Sequence, residues 1–376
     1  MKSKYVYVLV IGSIFFGVCM LFSNVKAEAV DLNLKDPAGQ LVHHAFNINS
    51  APSVKALAYT PDGKELWATL LLNKKRGVSV FDAITGRNSI DIDLAGGGGV
   101  EIIFSRDGLR AYISQMESAK VFEIDTKTKK VLRTFATKGS WTKILALSRD
   151  EKTLYASNWL GNTVSEINLE NGVVCRKISV VATPRGLYPT PDGKYLYVAG
   201  FDKGEIQKID LATGKGKIIF KSGGAMRHIA ADEDNGILYI SDMGKNVIWQ
   251  LALRDDSVKK FTSTDNLPNT IALSPDKKIL YVSCRGKNFS ADNYYRPGPE
   301  WGTVLLFSTV DAKKLDAVVG GNQPTALAVS PNGTGFAFSD FLDARIEVFT
   351  TPGSNMLANG NGGRTAVYKQ YIQKKK

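Results

Sequence analysis

Four cationic residues, Lys55, Lys143, Arg185 and Arg227, recur along the chain at one position of a repeated turn pattern. In that alignment they share a column with Val100, Asn269 and Thr325, and Glu101 and His228 follow one place later. Cations that converge in a concave site attract ligands of opposite charge. The column therefore predicts a cationic funnel, the name used below for Lys55, Lys143, Arg185 and Arg227. The alternative is that these side chains point outward into solvent, because a shift of one residue redirects every side chain of a strand.

A second candidate is the long loop, residues 285–301, which interrupts the repeat. It carries four aromatic and three cationic residues among 17. The candidates for contact are Arg285, Tyr294, Tyr295, Arg296 and Trp301. Tyr, Trp and Arg dominate binding hot spots, so the loop favours a binding role. The alternative is that Tyr294, Tyr295 and Trp301 pack down and plug the mouth of the funnel.

Further aromatic and sulfur-containing residues occupy equivalent loops and connectors, namely Trp159, Phe201, Met243, Phe341, Trp141 and Met226. Rings around cations can receive an anionic aromatic molecule, a peptide or, more weakly, single-stranded nucleic acid. Ordinary packing between repeats is the competing explanation.

The residues that could support catalysis are few. With three histidines in the chain and no Cys-x-x-Cys-His motif, the sequence predicts neither a metal site nor a cofactor. His43 and His44 are adjacent on an outer strand and face opposite ways, which favours a structural role. His228 or Glu101 could activate water while the arginines hold an oxyanion, as in a lactonase-like hydrolase. A histidine satisfied at a strand end is the simpler interpretation of His228.

These candidates depend on a repeat that must position them. Turn residues recur at Asp62, Asp107, Asp150, Asp192, Asp234, Asp276 and Asn332. Successive steps are 45, 43, 42, 42, 42 and 56 residues, so seven copies are visible. After each turn comes a strand with one aromatic, in the series Trp67, Tyr112, Tyr155, Tyr197, Tyr239, Tyr281 and Phe338. Four strands in about 42 residues predict an all-β fold, a seven-bladed β-propeller with four antiparallel strands per blade.

The Leu-Tyr-Val-Ser strand after Pro-Asp, followed by a turn into Val-x-x-Ile-Asp, resembles the YVTN-type β-propeller repeat of exported bacterial proteins. The resemblance covers roughly residues 41–352. It implies the fold and not the activity, because related propellers serve as binding modules, surface-layer components, dehydrogenase subunits and lactonases.

The ends of the chain predict how the ring closes. The seventh copy lacks a fourth strand, and the unassigned strand 41–48 precedes the first copy, so we expect it to complete the last blade. The predicted divisions are a signal peptide at 1–27, a linker at 28–40, the propeller at 41–353 and a tail at 354–376. The tail is rich in Asn and Gly and then basic, and we expect it to be mobile.

The N-terminus predicts export. Lys2 and Lys4 precede an uncharged run at 5–22, and Val25-Lys26-Ala27 suits a signal peptidase. A retained anchor remains the alternative, and lipidation at Cys19 is weaker. The predicted location is the periplasm or surface of a bacterium, with no transmembrane domain after cleavage. Cys175 and Cys284 fall three blades apart, which predicts two free thiols.

The net charge is +12, and removing seven lysines near the chain ends leaves +5 for the body, too little for a general nucleic-acid binder. The leading hypothesis is a non-catalytic extracytoplasmic binding module, predicted to be monomeric, for an anionic small molecule or protein partner. The alternatives are the lactonase-like hydrolase and a cell-surface adhesin or coat component.

Overall fold

The computed structural model describes residues 40–73, 76–288, 294–360 and 363–374. Seven four-stranded antiparallel sheets form the ring, as the sequence predicts. The signal peptide and nearly all of the linker lie outside the described residues.

The strands of blades one to four are β2 (Val54–Tyr59), β3 (Glu65–Leu70), β4 (Val78–Asp82), β5 (Asn88–Ile92), β6 (Ile102–Phe104), β7 (Arg110–Gln115), β8 (Lys120–Asp125), β9 (Val131–Ala136), β10 (Thr142–Leu147), β11 (Thr153–Asn158), β12 (Thr163–Asn168), β13 (Val174–Ser179), β14 (Pro184–Pro189), β15 (Tyr195–Gly200), β16 (Glu205–Asp210) and β17 (Gly216–Lys221). Those of blades five to seven are β18 (Met226–Asp232), β19 (Ile237–Asp242), β20 (Val247–Ala252), β21 (Val258–Ser263), β22 (Pro268–Leu273), β23 (Ile279–Cys284), β24 (Thr303–Ser308), β25 (Lys314–Val319), β26 (Pro324–Val329), β27 (Gly335–Asp340), β28 (Arg345–Thr350) and the N-terminal β1 (His43–Asn49). Each blade begins at the channel with its first strand, and β1 is the outermost strand of blade seven.

The repeated turns have a shared chemistry. In blade one the Thr60 hydroxyl donates to the Asp62 carboxylate at 2.7 Å, and the same carboxylate accepts the Lys64 backbone N–H at 3.1 Å. Gly63 follows Asp62 with φ 72°, a conformation that glycine adopts without strain. Five other blades repeat the hydroxyl-to-Asp or hydroxyl-to-Asn bond. The side chains thus form the turn that sets the register between the first two strands of a blade.

The predicted aromatic series is buried between blades, but its seventh member is out of place. Six of the rings share one strand position, whereas in blade seven Ala337 takes that position and Phe338 follows it. All seven rings, from Trp67 to Phe338, are at most 5% exposed. Aromatic rings bury a large apolar area, so one ring per blade supplies much of the hydrophobic contact between neighbouring sheets.

A hydroxyl at the next-to-last residue of the second strand joins adjacent blades. The Ser241 hydroxyl accepts the His228 backbone N–H at 3.1 Å and donates to the Asn269 carbonyl of the next blade at 2.9 Å. Four other blades make the same bond to the next blade, through Thr69, Ser114, Ser283 and Ser339. Blade four has Ala199 at this position. The innermost strands are therefore joined by hydrogen bonds as well as by packing.

The ring closes as predicted. Strand β1 pairs antiparallel with β28, with His43 opposite Thr350 and Asn49 opposite Arg345. The Ser339 hydroxyl donates to the Val54 carbonyl at 3.0 Å, which ties blade seven to blade one. Cys175 and Cys284 are free thiols, as expected.

The prediction of a mobile tail is wrong for the part of it that the structure describes. Helix α1 (Ser354–Asn359), helix α2 (Arg364–Val367) and a 3₁₀ turn (Tyr368–Tyr371) pack on blade six. Arg364 is 1% exposed and forms an ion pair with the buried Asp316 at 2.9 Å. The same guanidinium donates to the Val42 carbonyl at 2.6 Å. A buried, paired arginine fixes this stretch, called below the C-terminal segment (residues 354–374), against the closing strand.

Substitution Ser241→Ala tests the bonds between blades. We expect the free energy of unfolding to fall by about 1–3 kcal/mol, because the change leaves the buried His228 N–H and Asn269 carbonyl without this partner. Chemical denaturation followed by circular dichroism measures the loss. Ser89→Ala, on an exposed outer strand, is the matched control, and an equal effect of both variants would contradict the role given to the hydroxyl.

Candidate functional site

One face of the ring carries both the connectors between blades and the loops between the second and third strands of each blade. In several connectors a residue other than glycine takes a left-handed backbone, including Ser53 (φ 71°), Trp141 (φ 58°) and Thr183 (φ 48°). The carbonyl of this residue accepts the N–H of the first residue of the adjacent loop, as Trp141 does from Trp159 at 2.9 Å. Because of this sharp turn, the residue that follows two positions later in the sequence lies at the start of the innermost strand.

That position is the predicted cationic column, and the structure brings several of its members together. Lys55, Arg185 and Arg227 line a central cavity of about 250 Å³. Glu101 and His228 line the same cavity. Arg185 is 3% exposed and Arg227 is 9% exposed, so neither arginine extends into solvent.

Lys143 lies beside the cavity against the tryptophan of the adjacent loop. Its Nζ is 3.7 Å from the Trp159 ring centroid, and the Arg185 guanidinium is 4.9 Å from the same centroid. Phe201 packs against Trp159 with 5.0 Å between centroids. Two cations on one ring are held by cation–π attraction, which helps to fix their positions.

The long loop adds a fifth cation and a ring at the mouth of the funnel. Lys55 Nζ donates to the Tyr294 hydroxyl at 2.7 Å, and the Arg285 guanidinium lies 4.2 Å from the Tyr294 ring centroid. Gln323 Nε2 donates to the Tyr294 carbonyl at 2.9 Å and Gln323 Oε1 accepts from Arg285. Tyr294 is thereby fixed above Lys55, whereas Tyr295, 57% exposed, stacks on Phe341.

Other predicted site residues lie apart from the cavity. Trp301 packs under the C-terminal segment. Its backbone N–H donates to the Ile372 carbonyl at 2.8 Å, and Lys374 Nζ is 4.3 Å from the centroid of its ring. It lines a second cavity of about 280 Å³. Arg296 is exposed, and Trp141 is 40% exposed at its connector. Phe289 lies outside the described residues.

The central cavity carries an excess of positive charge. Burial, and then repulsion from Arg227, Arg185 and Arg285, lowers the pKa of Lys55 well below its usual range. Burial and Arg185 lower the pKa of Arg227 as well. Burial raises the pKa of Glu101 to about 7 despite the attraction of these cations. Among the residues described as lining the cavity, Glu101 alone carries a carboxylate.

Three buried polar atoms at the funnel make no hydrogen bond within the described parts of the chain. They are His228 Nδ1, Asn269 Oδ1 and Arg285 Nε. Burial lowers the pKa of His228 to about 4, with Arg227 and Arg185 adding to the shift, so its imidazole is neutral at pH 7. Unpaired buried polar atoms are costly, and they are a common feature of sites that bind a polar ligand.

Sequence reasoning missed the part played by Gln323, which links Arg285 to Tyr294. No sequence pattern pointed to these contacts. In the structure Gln323 takes the connector place that Ser53 takes in blade one, and both have a left-handed backbone (φ 61° and 71°).

Comparison with known proteins gives one curated relative and a shared fold. The chain is 35% identical over 263 residues to antigen Lp49 of Leptospira interrogans, a match that covers 68% of this chain. The match spans 58% of the length of that relative. Hydrazine synthase of Kuenenia stuttgartiensis superposes with a TM-score of 0.68 at 18% identity, over 81% of this chain and 97% of that one. This likeness shows the fold alone.

No family model matches the chain, so membership of the YVTN family stays a prediction. Within the described ranges, no helix has the length and apolarity needed to cross a membrane.

Glu101→Gln tests the electrostatics of the cavity. The folded pKa of Glu101 is about 7 and its ordinary value is 4.5, so the folded state holds a proton that the unfolded state releases first. As pH rises from about 4.5 to about 7, the free energy of unfolding of the unmodified protein should therefore fall relative to that of Glu101→Gln. The expected loss is on the order of 2–3 kcal/mol, with no further loss above that range.

The measurement is chemical denaturation of both proteins across that range. Glu170→Gln makes the same change at an exposed position and serves as the control. A stability difference that does not vary with pH would contradict the burial of an ionisable group here.

Proposed function

We propose that this protein is a non-catalytic extracytoplasmic binding propeller that takes up an anionic ligand in its cationic funnel. The observation that carries the proposal is the convergence of Lys55, Arg185 and Arg227 on one cavity whose described lining has a single carboxylate. Burying like charges together destabilises a fold unless a counter-charge is supplied. A bound anion supplies it.

The contacts around the cations support a binding role over a purely structural one. A structural arginine in this protein is neutralised, as Arg364 is by Asp316 at 2.9 Å. Lys143 instead stacks on Trp159, and Lys55 donates to the Tyr294 hydroxyl. These partners orient the cations and leave their charge available to a ligand.

Export and exposure at the cell surface belong to the same proposal. The N-terminal segment supports export, and the relative in Leptospira interrogans is named an antigen. A role as an adhesin or coat component would fit the same location. We also propose that the protein belongs to the YVTN-type family, because the repeated strand and turn resemble the repeat of that family.

The charge-reversing pair Arg185→Glu with Arg227→Glu tests the funnel. With benzoate as the probe, titration calorimetry should give affinity reduced at least 100-fold, because each charge-assisted hydrogen bond contributes about 1.5–3 kcal/mol. Arg87→Glu with Arg254→Glu changes the net charge equally at exposed positions and is the matched control. The milder pair Arg185→Gln with Arg227→Gln, checked for folding by circular dichroism, covers the case in which the acidic variant unfolds. Unchanged affinity in a folded funnel variant would refute the proposal.

One observation favours a second candidate, a lactonase-like hydrolase. Burial brings the pKa of Glu101 to about 7, which suits a general base, and the same cavity holds arginines and His228.

If the second candidate is right, the purified protein hydrolyses lactones, and both Glu101→Gln and His228→Ala lower kcat by about 100-fold or more. Glu170→Gln is the control. No hydrolysis above background across a lactone panel, or equal rates in all variants, would exclude it.

A further inference from the structure

The central cavity has two chemically different zones. Its rim carries Lys55, Arg185 and Arg227, and aliphatic side chains form the wall on the side away from the connectors. Ile103, Ile144 and Ala272 are the partly exposed members of this wall. Leu57, Ile102, Ile271 and Leu327 stand behind them, at most 7% exposed, and pack between blades.

This division follows from the direction of the innermost strands. Every first strand starts at the connector face and runs along the channel, so the column residue lies at the mouth and later residues lie deeper. In β2 the order is Lys55 and then Leu57, and in β10 Lys143 and then Ile144. The repeat therefore builds a charged mouth above an apolar lower wall.

Polar groups stand at the boundary between the zones. His228 follows Arg227 directly and lines the cavity, and its Nδ1 makes no hydrogen bond among the described residues. Thr270 lies at the equivalent place in blade six. A ligand can thus make directed contacts at the mouth and near His228, and apolar contacts below.

An inorganic anion uses only part of such a cavity. The volume of about 250 Å³ is several times the roughly 30 Å³ that one water molecule occupies in the liquid. Phosphate or sulfate at the rim would leave the aliphatic wall facing water, with no gain from burying it. A nucleic acid or a large peptide exceeds the enclosed space.

Resting on the proposed function, we infer that the ligand is a small organic anion with an apolar body, such as an alkyl or aryl carboxylate. Its anionic group contacts Lys55, Arg185 and Arg227. Its apolar part lies deeper in the channel, against the partly exposed side chains of Ile103, Ile144 and Ala272.

A series of straight-chain carboxylates tests this with the unmodified protein. Titration calorimetry with acetate, butyrate and hexanoate should give a dissociation constant that falls about fourfold per added methylene until the cavity is filled. Hexan-1-ol, which has the chain without the charge, should bind at least tenfold more weakly than hexanoate. Sulfate should bind no more tightly than acetate.

The outcomes separate this inference from the proposed function. If acetate and sulfate bind and lengthening the chain gains nothing, the amphiphilic ligand is wrong and the anion site stands. If hexanol equals hexanoate, or if no anion binds, the anion site itself is wrong.

A variant that fills the apolar zone gives an independent readout. Ala272 lines the cavity and is partly exposed, so Ala272→Leu should weaken hexanoate about tenfold or more and leave acetate unchanged. Ala212→Leu makes the same change on an exposed turn and is the control. Equal weakening of acetate and hexanoate by Ala272→Leu would contradict the placement of the chain.

Discussion

The hydrogen bonds that run from the second strand of one blade to the innermost strand of the next are the interaction on which the rest of the structure depends. Ser241 and its equivalents accept a backbone N–H within their own blade and donate to a carbonyl of the next. The carbonyls reached in this way belong to the column residues Val100, Lys143, Asn269 and Thr325, and to Val54 beside Lys55. At these five places the contacts that hold the blades together also fix the backbone of the residues around the channel. Arg185 and Arg227 are not reached in this way, because Ser157 donates within its own blade and blade four has Ala199.

Much of the fold can be read from the sequence because its determinants are local and repeated. The Thr60 to Asp62 turn and the Trp67 ring lie within eight residues of each other, and the turn with a hydroxyl bonded to Asp or Asn is found in six of the seven blades. Closure of the ring was also predictable. The last blade lacked one strand and the N-terminal strand had no blade, so the N-terminal strand had to complete the last blade.

The parts that sequence reasoning could not reach are long-range. Arg364 pairs with Asp316, 48 residues away, and with the Val42 carbonyl, 322 residues away. Local composition around Arg364 is rich in Gly and Asn and predicts mobility. One buried ion pair outweighs that local preference. Trp301 was placed at the funnel for its residue type, but the C-terminal segment covers it instead.

Within the candidate site, the residue types predicted the charge of the side chains but not the direction in which those side chains point. Whether Arg185 points inward depends on the left-handed turn at Thr183, and no residue preference announces that turn. The position of Tyr294 depends on Gln323 from another blade. A repeat alignment locates such residues in one column, and only the backbone geometry shows that they meet.

The contact between Lys55 and Tyr294 has a consequence for the order of events during synthesis. Lys55 leaves the ribosome 239 residues before its partner, and the two meet only when the first and last blades have joined. A nascent or truncated chain consequently has no complete funnel, however many of its blades have formed. Under the export and ligand binding proposed above, no ligand would be captured until the chain had reached its destination and closed its ring.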